Sequence, residues 1–285
     1  MPVHASAVGK ALDVNIVDMT ARKALAYAAG IADTAPAVFD DDREGGIVAP
    51  PQFCVSLEWP VISGPLAQDA FGMTPEERPR GVHTSQDSIF HQPIRPGMKL
   101  RTIGTITGVR RARAGAHTTA KIETFDTDSG ARLVTSWTTR IIRNVDVAGD
   151  DTNSETPPVL PVASNMPGTE KTIFIPREMA HTYSECADIW NPIHTERQAA
   201  LAAGLPDIIL HGTATWALAG REIIRTHCIG EPARLKRLFG RFTAMVIPGH
   251  DIKVSLQAPA DGAVGFTVFN HQGQPAVSDG LAVVD

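Results

Sequence analysis

Tyr183-Ser-Glu-Cys-Ala-Asp188-Ile-Trp-Asn191-Pro192-Ile-His194, and shortly after it Leu210-His211-Gly212-Thr213, decide how this chain is read. The two segments hold an acid, an amide, two imidazoles and a glycine beside a hydroxyl, all set among Ala, Ile and Leu. Each buried polar group needs a partner, so such a concentration in apolar surroundings signals a site. A water-activating site is the simplest reading. Directly behind it, Thr213-Ala-Thr-Trp-Ala-Leu-Ala-Gly-Arg-Glu-Ile-Ile is apolar on nearly every side in its first half. That suits a helix wrapped by a sheet better than one lying on a surface.

The same plan stands earlier in the chain. Tyr27 precedes Pro36 by nine residues, as Tyr183 precedes Pro192. Ile47-Val-Ala-Pro50-Pro51 answers to Ile208-Ile-Leu-His211-Gly212, and Ile94-Arg-Pro-Gly97 to Val246-Ile-Pro-Gly249, in the same order. Order-preserving recurrence marks an internal repeat. Each half ends in strand-like segments with near-alternate polarity: 102–110, 118–125 and 133–142, then 251–257, 265–270 and 276–284. Helices are expected over 21–29, 196–203 and 213–226. A stretch rich in Asp, Thr, Ser and Pro over 145–168 reads as a linker, which leaves units at 1–144 and 169–285. The expected fold is α+β: two fused units, each a long helix wrapped by a curved antiparallel sheet. Joined edge to edge, the units would hide strands that one alone leaves exposed.

Composition narrows the function. Hydrophobic residues make up 43% and charged residues 20%, ordinary for a globular protein. A net charge of −5 argues against nucleic acid as a partner. No apolar run is long enough to span a bilayer. The first residues, Met-Pro-Val-His-Ala-Ser, lack a signal-peptide pattern. Three scattered cysteines, Cys54, Cys186 and Cys228, suggest neither a disulfide framework nor a thiolate metal site, and a cytoplasmic location is expected.

The order Tyr183…Asp188…Asn191-Pro192-Ile193-His194-x-Glu196…Gly204…His211-Gly212 resembles the MaoC-like, R-specific enoyl-CoA hydratases and dehydratases of fatty acid metabolism. The two-unit length resembles their double hot-dog form. The resemblance implies reversible hydration of a 2-enoyl-CoA, or dehydration of a 3-hydroxyacyl-CoA. It implies no metal and no cofactor beyond the coenzyme A of the substrate. It further implies that Asp188 and His194 activate water, that Asn191 and Pro192 shape the turn presenting them, and that the Gly212 amide faces the thioester oxygen. One spacing departs from the family pattern D-x-N-P-x-H: its acid position is Ile189, and Asp188 stands one residue earlier. Either a one-residue bulge returns Asp188 to its place, or its carboxylate points elsewhere and His194 has a different partner.

The chemistry fits these residues. Hydration needs a proton taken from water, a proton given to Cα, and charge on the thioester oxygen stabilised. A glycine amide opening a helix offers close approach and a positive dipole end. The first half supplies a control: Val38 replaces the histidine, Ala35 the asparagine, and Pro51, which has no N–H, the glycine. It keeps an acid, Asp33, at the family spacing. One site per chain follows, with the first half shaping the acyl pocket.

Substrate contacts are expected from Tyr183, Trp190, Asn191, His211, Thr213 and Trp216, and from Arg237 in the basic run 234–241 toward coenzyme A phosphates. Bland alternatives stand beside them: core packing for the tyrosine and tryptophans, a structural hydrogen bond for His211, and a solvated face for the basic run. His83-Thr-Ser-Gln-Asp87 reads as a turn, with a border of the substrate entrance as the alternative. A homodimer is plausible. Two other functions fit the same features, an acyl-CoA thioesterase and a non-catalytic acyl-thioester-binding protein.

Overall fold

The computed structural model describes residues 2–74, 77 and 80–285. The first half runs β1 (Val3–His4), β2 (Asn15–Asp18), α1 (Ala21–Gly30), α2 (Pro36–Phe39), α3 (Cys54–Ser63), α4 (Pro65–Ala70), β3 (Gly81–Phe90), β4 (Lys99–Ala112), β5 (Gly115–Asp126) and β6 (Arg132–Arg143). Two short strands follow, β7 (Val147–Ala148) and β8 (Thr152–Asn153). The second half runs β9 (Pro167–Phe174), α5 (Met179–Ala187), α6 (Arg197–Ala202), α7 (Gly212–His227), β10 (Leu235–Phe242), β11 (Asp251–Gln257), β12 (Ala263–Phe269) and β13 (Pro275–Val284).

The repeat is visible in the sheet. The strands lie in the order β2-β4-β5-β6-β3 and then β10-β13-β12-β11-β9. Counting only these five strands, each half places its first, third, fourth, fifth and second side by side, the second half in reverse. The halves meet through the antiparallel pair β3–β10, where Phe239 faces Asp87. Those two residues are equivalents in the repeat, so a local two-fold axis passes between them. One continuous sheet results, and the second strand of each unit is no longer an edge.

Local chemistry accounts for the elements. Thr20 caps α1 by accepting from the Lys23 amide. Strand β5 alternates buried and half-buried residues along its length, and β11 does much the same, as strands with one face on a core must. Helix α7 is buried continuously from Ala214 to Ile224, as its near all-round apolar character requires. The turns at Gly97 and Gly249 share φ values of 94° and 93°, so the matched Ile/Val-x-Pro-Gly motifs fold alike.

Helices α1 and α5 cross on the same local axis. A Cβ on Gly30 would stand 2.7 Å from the Cys186 Cβ, so glycine permits the close crossing. The Tyr27 and Tyr183 hydroxyls lie 3.4 Å apart at the crossing.

Three expectations need correction. His83–Asp87 is not a turn but part of the central strand β3. Arg234–Arg241 is no solvated basic face: it forms most of β10, with Arg237 buried. The stretch read as a linker, 145–168, holds the short strands β7 and β8 and the start of β9. Its exposed chain is tied to the sheet by Arg237, which donates to the carbonyls of Pro158 and Val159.

Candidate active site

The turn after α5 carries the motif. Asn191 caps it, its Oδ1 accepting from the Ile193 amide, with Pro192 at the first position of the short helical turn. This orients His194, whose Nδ1–H donates to the carbonyl of Ile209 at 2.8 Å. A carbonyl can only accept, so the proton is held on Nδ1 and the Nε2 lone pair is left free. Burial pulls the His194 pKa down to about 4, and the Ile209 contact opposes this only in part. The ring is neutral at pH 7.

His211 lies beneath it. The two rings stack with centroids 3.6 Å apart and planes at 25°. His211 is buried and meets the Ser184 hydroxyl through Nε2 at 3.2 Å. Burial, then the neighbouring His194, hold its pKa well below the ordinary value. The Tyr183 ring packs on its other side at 5.0 Å, and the Tyr183 hydroxyl donates to Thr213 Oγ1 at 3.2 Å. His211 also stands at the N-cap of α7, so the Gly212 amide is the first N–H of that helix. That amide has no acceptor inside the helix, and the dipole of α7 favours negative charge there. A Cβ on Gly212 would meet the Phe242 ring at 3.0 Å. Phe242 in turn packs edge-on against His83 of the first unit, at 4.8 Å.

The structure brings together His194, His211, Gly212, Thr213, Tyr183 and the Asn191 turn. It does not bring in Asp188. Asp188 is the left-handed cap of α5, with φ 54° and ψ 41°, and its side chain is exposed. No hydrogen bond or ion pair joins its carboxylate to His194 or to any other described residue. The one-residue bulge is absent. In the first unit Ala32 takes the same left-handed position, with φ 50°, and Asp33 follows it. Asp188 therefore matches Ala32, while Ile189 matches Asp33 and is buried in the core. Aspartate tolerates the left-handed region better than most residues, which explains its place at the cap.

Three further expectations change. Trp216 is fully buried and packs against Gly240, so it fills the core of α7 instead of lining a pocket. Trp190 is 50% exposed, outside the ring stack. Arg237 forms a two-pronged pair with Asp87, at 2.8 and 2.7 Å, and is therefore already neutralised and unsuited to coenzyme A phosphates. His83, read from the sequence as bordering the substrate entrance or as part of a turn, reaches the site from a strand, because a polar run beside turn residues hides that strand.

The copy of the site in the first unit is an open recess lined by Pro50, Pro51, Phe90, His91, Ile94 and Lys236, among others. It lacks the backbone amide that Gly212 offers, since Pro51 stands in that place. Among the described residues, no three His, Cys, Asp or Glu side chains converge as metal ligands would.

Residues 161–272 match the family described as MaoC like domain, and residues 6–136 match the FAS1-like, dehydratase domain region. A relative named probable enoyl-CoA hydratase 2, from Dictyostelium discoideum, is 24% identical over 65% of this chain and 63% of its own length. The chain thus spans less than two thirds of that relative. A relative named 3-hydroxyacyl-thioester dehydratase Y, from Mycobacterium tuberculosis, is 24% identical over 93% of this chain and 91% of its own. Among solved structures, a MaoC-like dehydratase from Phytophthora capsici superposes with a TM-score of 0.83 at 19% identity, covering 97% of this chain and 95% of that one. A Mycobacterium tuberculosis protein described as having a double hot-dog fold superposes with a TM-score of 0.64 at 13% identity, covering 97% and 95%.

Proposed function

The chain belongs to the MaoC-like dehydratases in their double hot-dog form, and on that premise we propose that it hydrates a 2-enoyl-CoA thioester reversibly, with His194 as the single acid–base group. His194 Nε2 takes a proton from water as the oxygen adds to Cβ. The same nitrogen returns the proton to Cα on the same face. The Gly212 amide, at the positive end of α7, stabilises the enolate oxygen between the two transfers. Dehydration is the same path reversed. His211 and Ser184 hold the imidazole from below, and Asn191 with Pro192 sets the turn.

The observation that carries this reading is the tautomer of His194: its Nδ1 proton is held by Ile209, which leaves one basic lone pair beside the first amide of α7. Positioned acid–base catalysis contributes about 10² to 10⁴-fold, and one oxyanion donor about 10² to 10³-fold. Coenzyme A enters as part of the substrate, and no separate cofactor takes part. Three free cysteines suit a reducing compartment, which cytoplasm and peroxisome both provide.

The test is the enoyl-thioester absorbance band. It should fall on adding protein to a 2-enoyl-CoA, and stay unchanged with His194→Ala. One observation favours a second reading, that of an acyl-thioester-binding protein without chemistry: the inward acid position holds Ile189. Tight binding of enoyl-CoA with no loss of absorbance by the wild type would establish that reading. Release of free thiol from a saturated acyl-CoA would instead establish a thioesterase.

A further inference from the structure

The first unit has a polar interior where the second has an apolar one. The pair Gln86–Thr138 on β3 and β6 stands where Leu238–Ala282 stands on β10 and β13. Further along, His83–Arg140 stands where Leu235–Val284 does. Aligning Pro51 with Gly212 places Glu58 of α3 where α7 has Ala219. Glu58 is buried and accepts from Ser136 Oγ at 2.5 Å and Gln86 Nε2 at 2.9 Å. Polar groups replacing a core at several equivalent positions call for a reason, because each costs free energy to bury.

Beyond Glu58 lies a small recess lined in part by Trp59, Ile62, Phe71, His83, Thr138 and Arg140. The Arg140 Nη1 donates to the carbonyl of Ile62, near the end of α3, at 3.1 Å. A guanidinium carries five N–H donors, and this is the one hydrogen bond that it makes among the described residues. No carboxylate pairs with it there, although half-buried arginines usually find one. His83 pairs with Arg140 across the strands and touches Phe242, which touches the Gly212 position. Two rings therefore separate the unpaired guanidinium from the oxyanion donor.

We propose that this recess receives the far end of the acyl group and that this end is anionic, so that the substrate is the monothioester of a dicarboxylic acid with its free carboxylate on Arg140. The proposal rests on the reading above only for the position of the thioester. Calorimetric titration tests it without turnover. Glutaryl-CoA and adipoyl-CoA, which are saturated and unreactive, are compared with pentanoyl-CoA and hexanoyl-CoA. At least one dicarboxylic thioester should bind about 10- to 100-fold more tightly than its neutral partner, the range for a hydrogen bond to a charged group. Arg140→Gln should erase that preference while leaving the neutral thioesters unchanged, and Arg140→Lys should keep part of it. Equal or weaker binding of both dicarboxylic thioesters by the wild type, which needs no variant to fold, overturns the proposal. So does a preference that survives in Arg140→Gln. A preference for the dicarboxylic thioester in a protein that turns over no enoyl-CoA would end the hydratase reading and leave the recess assigned.

Discussion

The two units share a strand order and a tyrosine at the crossing helices, but their motif loops have diverged in opposite ways. The first keeps an inward acid, Asp33, and has lost the imidazole and the amide. The second keeps His194 and Gly212 and has lost the inward acid to Ile189. Asp33 has become structural: it caps its own loop through the Ala35 amide and pairs with Arg225 of α7 at 3.1 Å. Arg221, from the same helix, donates to the carbonyls of Ile31 and Ala32. The acid of the quiet unit thus fastens one unit to the other. A carboxylate that accepts hydrogen bonds from a buried loop and a neighbouring helix stabilises that junction whatever its ancestral role.

This contrast can be broken at several points. The largest effect is expected at His194: His194→Ala should lower kcat by at least about 10²-fold with an unchanged circular dichroism spectrum. Wild-type turnover would remove it from the chemistry. Gly212→Pro would copy Pro51 of the quiet unit and should cost about 10²-fold in kcat beyond Gly212→Ala. The alanine variant isolates the contact with Phe242, so equal losses in the two would exclude the amide. Asp33→Asn should leave turnover intact and lower unfolding free energy by about 1–3 kcal/mol in urea titrations, the usual cost of stripping a buried hydrogen-bonded charge of its partner. Asp188→Asn should be the mildest, with kcat within about twofold of wild type, because general acid–base loss would show as 10² or more. A severe loss there would mean that substrate draws the cap residue inward.

Acidity offers a further handle. His83, His117 and His194 all have pKa values lowered to about 4, chiefly by burial. Their folded values lie below those of the unfolded chain, near 6.5, so the unfolded state binds protons more readily. Stability should be full above pH 6.5 and fall progressively toward pH 4. Turnover that depends on neutral His194 should likewise hold down to about pH 5, provided that the protein stays folded. A kcat/KM profile breaking near 6.5 would show that His194 is not held as the structure has it.

Much of the fold was legible in the residues. Six strands were placed by alternation, and α1 and α7 within a residue or two. The repeat motifs carried the division into units. What escaped has physical causes. Strand β3 faces a polar interior, so Gln86, Ser88 and their neighbours do not alternate with apolar residues. Helix α3 begins after Pro51 and contains Pro60, both of which read as breakers. Strand β10 hides its buried arginine in a basic run, because Asp87 of the other unit neutralises it from sequence far away. At the site, the Asn191-Pro192 turn, His194, His211 and Gly212 were singled out on a motif resemblance, and the structure places them close together. Asp188 was misplaced because adjacent residues on a chain can face opposite ways, and spacing alone does not say which.

The residues by themselves determined the repeat, the wrapped helix and the segment that holds the candidate site, because periodicity, proline and glycine act over a few neighbours. Only the tertiary structure decided that Asp188 looks outward, that His194 offers Nε2, and that Arg140 faces a recess with no counter-ion among the described residues. Those outcomes depend on partners brought together from distant parts of the chain, and no local pattern specifies what stands across a sheet.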